Sequence, residues 1–322
     1  MTPSTPVSLL MQEYGFHGPA MNVSAMCTSG GSAAIVTAKS WLDSDLVDDV
    51  LVVATDLSAK PEVVGMFVQL GVAVTDTDAL DACRPFQTGS RGFTFGEAAI
   101  AFTMTNRAID GYADVLGGGA MSHDAYHVTS VDPELTNVVG CVEQALSAAG
   151  VAGEEIRYLN AHGPGTRQCD RAEATIAETM LPNSEVFSVK PLAGHCQGAA
   201  GAVELAASLL GYDRGEIPAT PRVSEGIPQL LDGLSPPLDA GPTVKTSLGD
   251  GWPQRGAGDR APALTGITPT RREVTLFHTY SARSKRKPQR RLTIQRCPTC
   301  RRTRRPTDPP RSTDRGRVRV VF

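Results

Sequence analysis

The sequence predicts an α/β layered fold with a buried sheet over residues 1–249, followed by an unordered tail over 250–322. Short apolar, β-branched runs alternate with stretches of helical periodicity up to about Gly249 and then stop. Aromatic residues make up only 5% and small residues carry much of the remainder, which suits helices packed closely on a sheet. A chain of 322 residues is long enough to bury a large core.

In chain order, Val50-Leu51-Val52-Val53-Ala54 reads as a buried strand, and Ala98-Ala99-Ile100-Ala101-Phe102 as a second. Leu135, Val138, Val139, Val142 and Leu146 mark one face of a helix that Gly150 stops. Ile156-Arg157-Tyr158-Leu159 is a third strand, and Phe187-Ser188-Val189 runs into a glycine-rich turn. A helix bearing Val203, Leu205, Ala206, Leu209 and Leu210 follows. Beyond Gly249, Arg, Pro and Thr dominate without periodicity, as in Arg301-Arg302-Thr303-Arg304-Arg305-Pro306, so disorder is expected there.

No apolar run approaches the ~18 residues that span a bilayer, and Met1–Leu10 lacks the pattern of a signal peptide. Seven cysteines form no disulfide-like rhythm, which points to a reducing, cytoplasmic setting. The net charge of −3 hides an asymmetry: residues 250–322 hold 19 Lys+Arg against 5 Asp+Glu, or +14, leaving −17 on the rest. Such a basic tail, with Lys285-Arg286-Lys287 in it, invites a nucleic-acid reading. Cys297 and Cys300 have zinc-knuckle spacing, but no second pair completes four ligands.

Four segments carry chemistry. Cys27 precedes Thr28-Ser29-Gly30-Gly31-Ser32 and a small-residue helix, where free backbone N–H groups favour a thiolate and could serve an oxyanion. Taken alone, a cysteine there is more often an inert packed residue. Leu159-Asn160-Ala161-His162-Gly163-Pro164-Gly165-Thr166, leading to Asp170 and Glu173, sets a histidine in a glycine loop just past a strand. Ser188-Val189-Lys190-Pro191-Leu192-Ala193-Gly194-His195, leading to Glu204, brackets another strand-to-helix turn. Cys83-Arg84-Pro85-Phe86 and Gly92-Phe93-Thr94-Phe95-Gly96-Glu97 form the fourth, by itself simply an ordered loop.

In this order, and with Asp124-Ala125-Tyr126-His127 and Thr129 between the Cys and first His, the segments resemble the β-ketoacyl-acyl-carrier-protein synthases of fatty-acid and polyketide synthesis. The resemblance runs from about Pro6 to Gly249. It implies a thiolase-like αβαβα sandwich and an acyltransferase that condenses malonyl-carrier with a Cys-bound acyl chain. Cys27 is then the nucleophile, and His162 and His195 polarise the malonyl thioester carbonyl. Lys190 and Glu204 hold the histidines, and Thr166 helps bind pantetheine. No metal or cofactor is implied beyond the carrier's phosphopantetheine. The implied partners are acyl carrier protein and a second synthase subunit, identical or homologous, without nucleic acid or membrane. Relatives that only set chain length lack the nucleophile, so Cys27 favours a condensing subunit.

The sequence also departs from the family. Pro164 replaces a pantetheine-binding threonine and offers neither hydroxyl nor N–H. Only 26 residues precede the nucleophile, so the first strands of the fold are expected to be missing, leaving strand edges and apolar faces uncovered. After Leu248-Gly249 the family's glycine-rich oxyanion loop and last strand give way to an unrelated sequence. One synonymous coding of Asp250–Pro262, read one base later, translates as MGGHNAALVIERP, the expected loop and strand. The tail is therefore read as an out-of-frame translation. The competing readings are a catalytically dead remnant, or a carrier-binding subunit, and a nucleic-acid-binding protein driven by the tail.

Overall fold

A computed structural model describes residues 5–25, 27–109, 111–118, 121–122, 126, 130–219, 222–233, 236–239, 241–248, 274–282 and 318–321. The chain begins with α1 (Thr5–Tyr14), α2 (Ser29–Asp43), β1 (Asp49–Asp56), α3 (Pro61–Gln69) and α4 (Ala79–Ala82). Next come β2 (Ala98–Thr105), β3 (Ala113–Gly117), β4 (Met121–Ser122), α5 (Thr136–Ala149) and β5 (Tyr158–Asn160). Then follow α6 (Arg167–Met180), β6 (Glu185–Phe187), α7 (Lys190–Ala193), α8 (Ala200–Arg214) and β7 (Pro242–Ser247). Two strands from the tail, β8 (Val274–Ala282) and β9 (Val318–Val321), complete the list.

The local signals explain most of these elements. The apolar run at Val50 becomes β1, paired with β2 in a register that sets Val52 opposite Phe102. Helix α5 ends where Gly150 turns left-handed at φ 64°, the conformation glycine adopts without a Cβ penalty. The third predicted strand starts later than the sequence suggests: Gly153–Glu155 forms a 3₁₀ turn, and β5 holds only Tyr158–Asn160.

The strands form one mixed sheet in the order β1-β2-β9-β3-β8-β7-β5-β6, with β4 on β8. β5 runs parallel to β6 and β7, while the remaining pairs are antiparallel. Two cores lie on it. Ile35 and Leu42 of α2 and Leu205 and Leu209 of α8 pack with Phe102, Met104 and Val115. Val138, Val142 and Leu146 of α5 and Ile176 of α6 pack with Leu159, Val186 and Val244. Burial of these aliphatic side chains supplies the main driving force, on the order of 2 kcal/mol for each one removed from water.

Two stretches of the tail form strands. β8 pairs with β7 and β3, and β9 pairs with β2 and β3. The reason is local. VTLFHTYSA is rich in β-branched and aromatic residues, and VRVV alternates. Val318 and Val320 are each 1% exposed and join the α2–α8 core. The average composition of the tail conceals both windows. Gly249, Asp124, Ala125, His127, Thr129, Lys285–Lys287, Cys297 and Cys300 lie outside the described residues.

Candidate active site

Apart from Glu204, each candidate side chain sits at or near an end of a strand or helix, which lets a rigid frame hold it at a loop edge. Cys27 lies just ahead of α2 with φ 46°, a left-handed backbone costly for a residue with a Cβ. The helix start behind it is fully buried because it crosses α8 at backbone distance. A Cβ on Gly31 would meet Ala202 N at 2.8 Å, and one on Gly201 would meet Thr28 O at 2.8 Å. His162 follows β5, Lys190 opens α7, His195 comes two residues after it, and Glu204 lies in α8.

These five residues come together. Cys27 Sγ lies 3.4 Å from His195 Nε2. On the opposite edge of that ring, the Gln197 backbone N–H donates to Nδ1 at 3.0 Å. Nδ1 is thus an acceptor, so the proton sits on Nε2 and points at the sulfur. Lys190 Nζ contacts His162 Nδ1 at 3.2 Å and donates to the His162 carbonyl at 2.5 Å. Its third N–H goes to Glu204 Oε1. The Thr28 hydroxyl, 3.1 Å from His162 Nδ1, donates its proton to the Leu248 carbonyl. With Lys190 as the donor, His162 too carries its proton on Nε2. The two rings stand 5.7 Å apart and nearly perpendicular.

Electrostatics keep both histidines neutral. Burial, and then the Lys190 charge, hold each well below the usual imidazole range. The site thus presents a cysteine and two neutral N–H donors in a space shielded from bulk water. Such preorganised donors stabilise developing negative charge on a carbonyl oxygen without reorganising during reaction.

Several supporting residues were given no role by the sequence. Glu173 accepts the backbone N–H groups of His162 at 2.8 Å and Gly163 at 2.7 Å. It also accepts the Thr246 hydroxyl, whose oxygen takes the His162 N–H at 3.0 Å. Lys245 Nζ lies 2.6 Å from Glu204 Oε2. The fourth segment is more than a loop, since the Phe93 ring packs tilted against His195 at 4.5 Å between ring centroids. Thr166, expected to hold pantetheine, sits buried at the N-cap of α6, outside the hydrogen bonds that join Cys27 to Glu204. Pro164 turns its carbonyl toward Cys83 Sγ at 3.7 Å.

Comparison with known proteins decides the lineage. The profile for "Beta-ketoacyl synthase, N-terminal domain" matches residues 2–107, and that for the C-terminal domain matches 112–224. The chain belongs to the β-ketoacyl synthase family. Among curated synthases it is 33% identical to the tetracenomycin polyketide ketoacyl synthase alpha subunit of Streptomyces glaucescens, over 67% of this chain and 53% of that one. A 3-oxoacyl-[acyl-carrier-protein] synthase of Coxiella burnetii is also 33% identical, over 65% of this chain and 52% of that one. The chain thus spans about half the length of the curated synthases it matches.

Solved structures show the thiolase-like fold of the synthases. A type II polyketide acyl-carrier protein in complex with its ketosynthase aligns at TM-score 0.71 and 20% identity, covering 88% of this chain and 67% of that one. A ketosynthase in complex with its chain length factor from Xenorhabdus doucetiae aligns at 0.70 and 26% identity, covering 86% and 64%. Among the described residues, no helix is long and apolar enough to cross a membrane.

Proposed function

We propose that the chain is a condensing acyltransferase that extends a Cys27-bound acyl chain with malonyl units delivered by acyl carrier protein. The observation that carries this reading is the approach of His195 Nε2–H to Cys27 Sγ at 3.4 Å, with the tautomer fixed from behind by Gln197. Cys27 attacks the acyl-carrier thioester, forms an acyl-Cys27 thioester and releases the carrier thiol. Malonyl-carrier then binds with its thioester carbonyl against the Nε2–H groups of His162 and His195. The carboxylate leaves as CO₂, and its bonding electron pair forms the enolate that these donors stabilise. That carbanion attacks the acyl-Cys27 carbonyl. Collapse of the adduct breaks the C–S bond, frees Cys27 and leaves a β-ketoacyl chain on the carrier. Lys190 and Glu204 keep His162 oriented, and Thr166 contributes to the pantetheine path. The scheme needs no metal or nucleotide, because phosphopantetheine on the carrier brings both substrates.

The relatives support acyl carrier protein and a second synthase subunit as partners, since two of the aligned structures are complexes of those kinds. The tail from Asp250 is an out-of-frame continuation in this reading, to be checked by sequencing the gene across that junction. An in-frame relative with the same basic tail would refute it.

Intact-mass analysis of the 322-residue chain after incubation with acyl carrier protein tests the function. An acyl adduct on Cys27 that disappears in Cys27→Ala is expected. No adduct at any acyl length would favour a silent, carrier-binding remnant.

A further inference from the structure

One buried lysine serves the chemistry above, and a second lies within reach of it. Lys245, inside β7, is 1% exposed. Its Nζ sits 2.6 Å from Glu204 Oε2, an ion pair outside hydrogen-bond geometry, and donates to the Thr246 carbonyl. Lys190 holds the other oxygen, Oε1. A single carboxylate in α8 is therefore shared by two ammonium groups, one from α7 and one from β7.

This sharing matters for His162. An ammonium has three N–H groups, and Lys190 directs its three at Glu204 Oε1, His162 O and His162 Nδ1. None is spare. With Lys245 gone, Oε2 would lose its cation in an environment where an unpaired charge is costly. Lys190 is the other ammonium on this carboxylate. It would satisfy Oε2 by withdrawing the N–H that now meets Nδ1. The adjacent Thr246 grips the same loop through the His162 backbone N–H at 3.0 Å, so the end of β7 fixes His162 from two sides.

We infer that Lys245 is a positioning residue: by occupying Glu204 Oε2, it keeps the third Lys190 N–H on His162 Nδ1 and the imidazole proton on Nε2. The consequence for turnover rests on the condensing reading above, whereas the consequence for the imidazole does not. The charged or titratable groups around His162 are Lys190 from α7, Lys245 from β7, Glu204 from α8, Glu173 from α6 and His195 from the turn before α8. Lys245 is among the positive charges that lower the His162 midpoint, so its removal raises that midpoint. Burial pulls Lys245 below the usual lysine range, and Glu204 opposes it.

Long-range ¹H–¹⁵N spectra of the histidine-labelled full chain read the tautomer directly. The unmodified chain is expected to show His162 as the Nε2–H form alone. In Lys245→Met, Nδ1–H appears and the protonation midpoint of His162 rises, while Lys245→Arg restores the original pattern. His195, held by Gln197, stays as it is in all three. A His162 tautomer unchanged in Lys245→Met overturns the inference. If that variant does not fold, the ¹⁵N shift of Lys245 Nζ in the unmodified chain decides: an ammonium at pH 7 is required, and a neutral amine refutes the role.

Malonyl-carrier decarboxylation by Lys245→Met is expected to fall about 10-fold in kcat with KM within about 2-fold, the split that marks lost transition-state stabilisation. A moved tautomer in a chain that never turns over would deny the condensing reading and leave this inference standing. Turnover with an unmoved tautomer would do the reverse.

Discussion

At the residue scale, the site is a set of proton assignments, and its response to acid follows from them. His162 and His195 are held neutral in the folded chain, with midpoints below those of the unfolded state. For a base of this kind, the stability contribution is complete above the unfolded midpoint near pH ~6.5 and is lost as pH falls toward the folded one. Burial pushes the Asp170 carboxyl the other way, up to about 8, so its contribution is complete at low pH and is lost as pH rises through that value. The two effects oppose each other in whole-chain data, and the histidine share is isolated by comparison with a variant. His195→Asn should reduce the acid-limb slope of unfolding free energy by about one proton, or ~1.4 kcal/mol per pH unit. Urea melts at several pH values between 5 and 7 check this, and an unchanged slope would show that His195 titrates normally. Glu173 makes a separate prediction, because it accepts two backbone N–H groups and the Thr246 hydroxyl in a buried loop. Glu173→Ala strands those donors, each costing about 1–3 kcal/mol. A loss of roughly 3 kcal/mol or more is expected in thermal denaturation.

At the element scale, close helix approach is what brings Cys27 to the histidines. Gly201 of α8 lies against the Ser32 hydroxyl at 2.3 Å and Thr28 O at 2.8 Å from where a Cβ would stand. Gly201→Ala therefore has to push α8 off α2, at about 1–3 kcal/mol, and shift the residue next to the nucleophile. Gly140, inside α5, has nothing within 4 Å of the same construction. Gly140→Ala should stabilise the chain by about 0.5–1 kcal/mol, the helix-propensity difference alone. The two melts, read beside the rate of Cys27 alkylation, separate the effects: Gly201→Ala changes that rate, and Gly140→Ala does not. These helices were legible because apolar spacing and a stop glycine are local signals. The nucleophile, the two histidines, Lys190 and Glu204 were legible because their order along the chain resembles a family. Lys245 and Thr246 were not. Val-Lys-Thr-Ser inside a strand reads as ordinary alternation, and only the packing of β7 beside α8 and the His162 loop gives either side chain its partner.

At the scale of the whole molecule, the tail decides between two accounts of one chain. If residues 250–322 contributed nothing, deleting them would leave the −17 body as stable as before and more soluble for its uniform charge. The sheet argues otherwise. β8 runs along β7 from Pro242 to Ser247 and along β3 on its other side. β9 fills the gap between β2 and β3 and buries Val318 and Val320 at 1% exposure each. Without them, edges of β2, β3 and β7 would expose backbone N–H and C=O groups beside apolar side chains such as Phe102 and Met104, now 2% and 0% exposed. The chain already exposes Leu57 at 62% and Leu46 at 56%, flanking β1, which has β2 as its one partner among the described residues. Removing the tail would add to that liability. A chain ending at residue 249 is therefore expected to melt lower than the full chain and to associate more strongly in light scattering. Equal melting and equal association would mean that the basic tail is dispensable, whatever strands it forms.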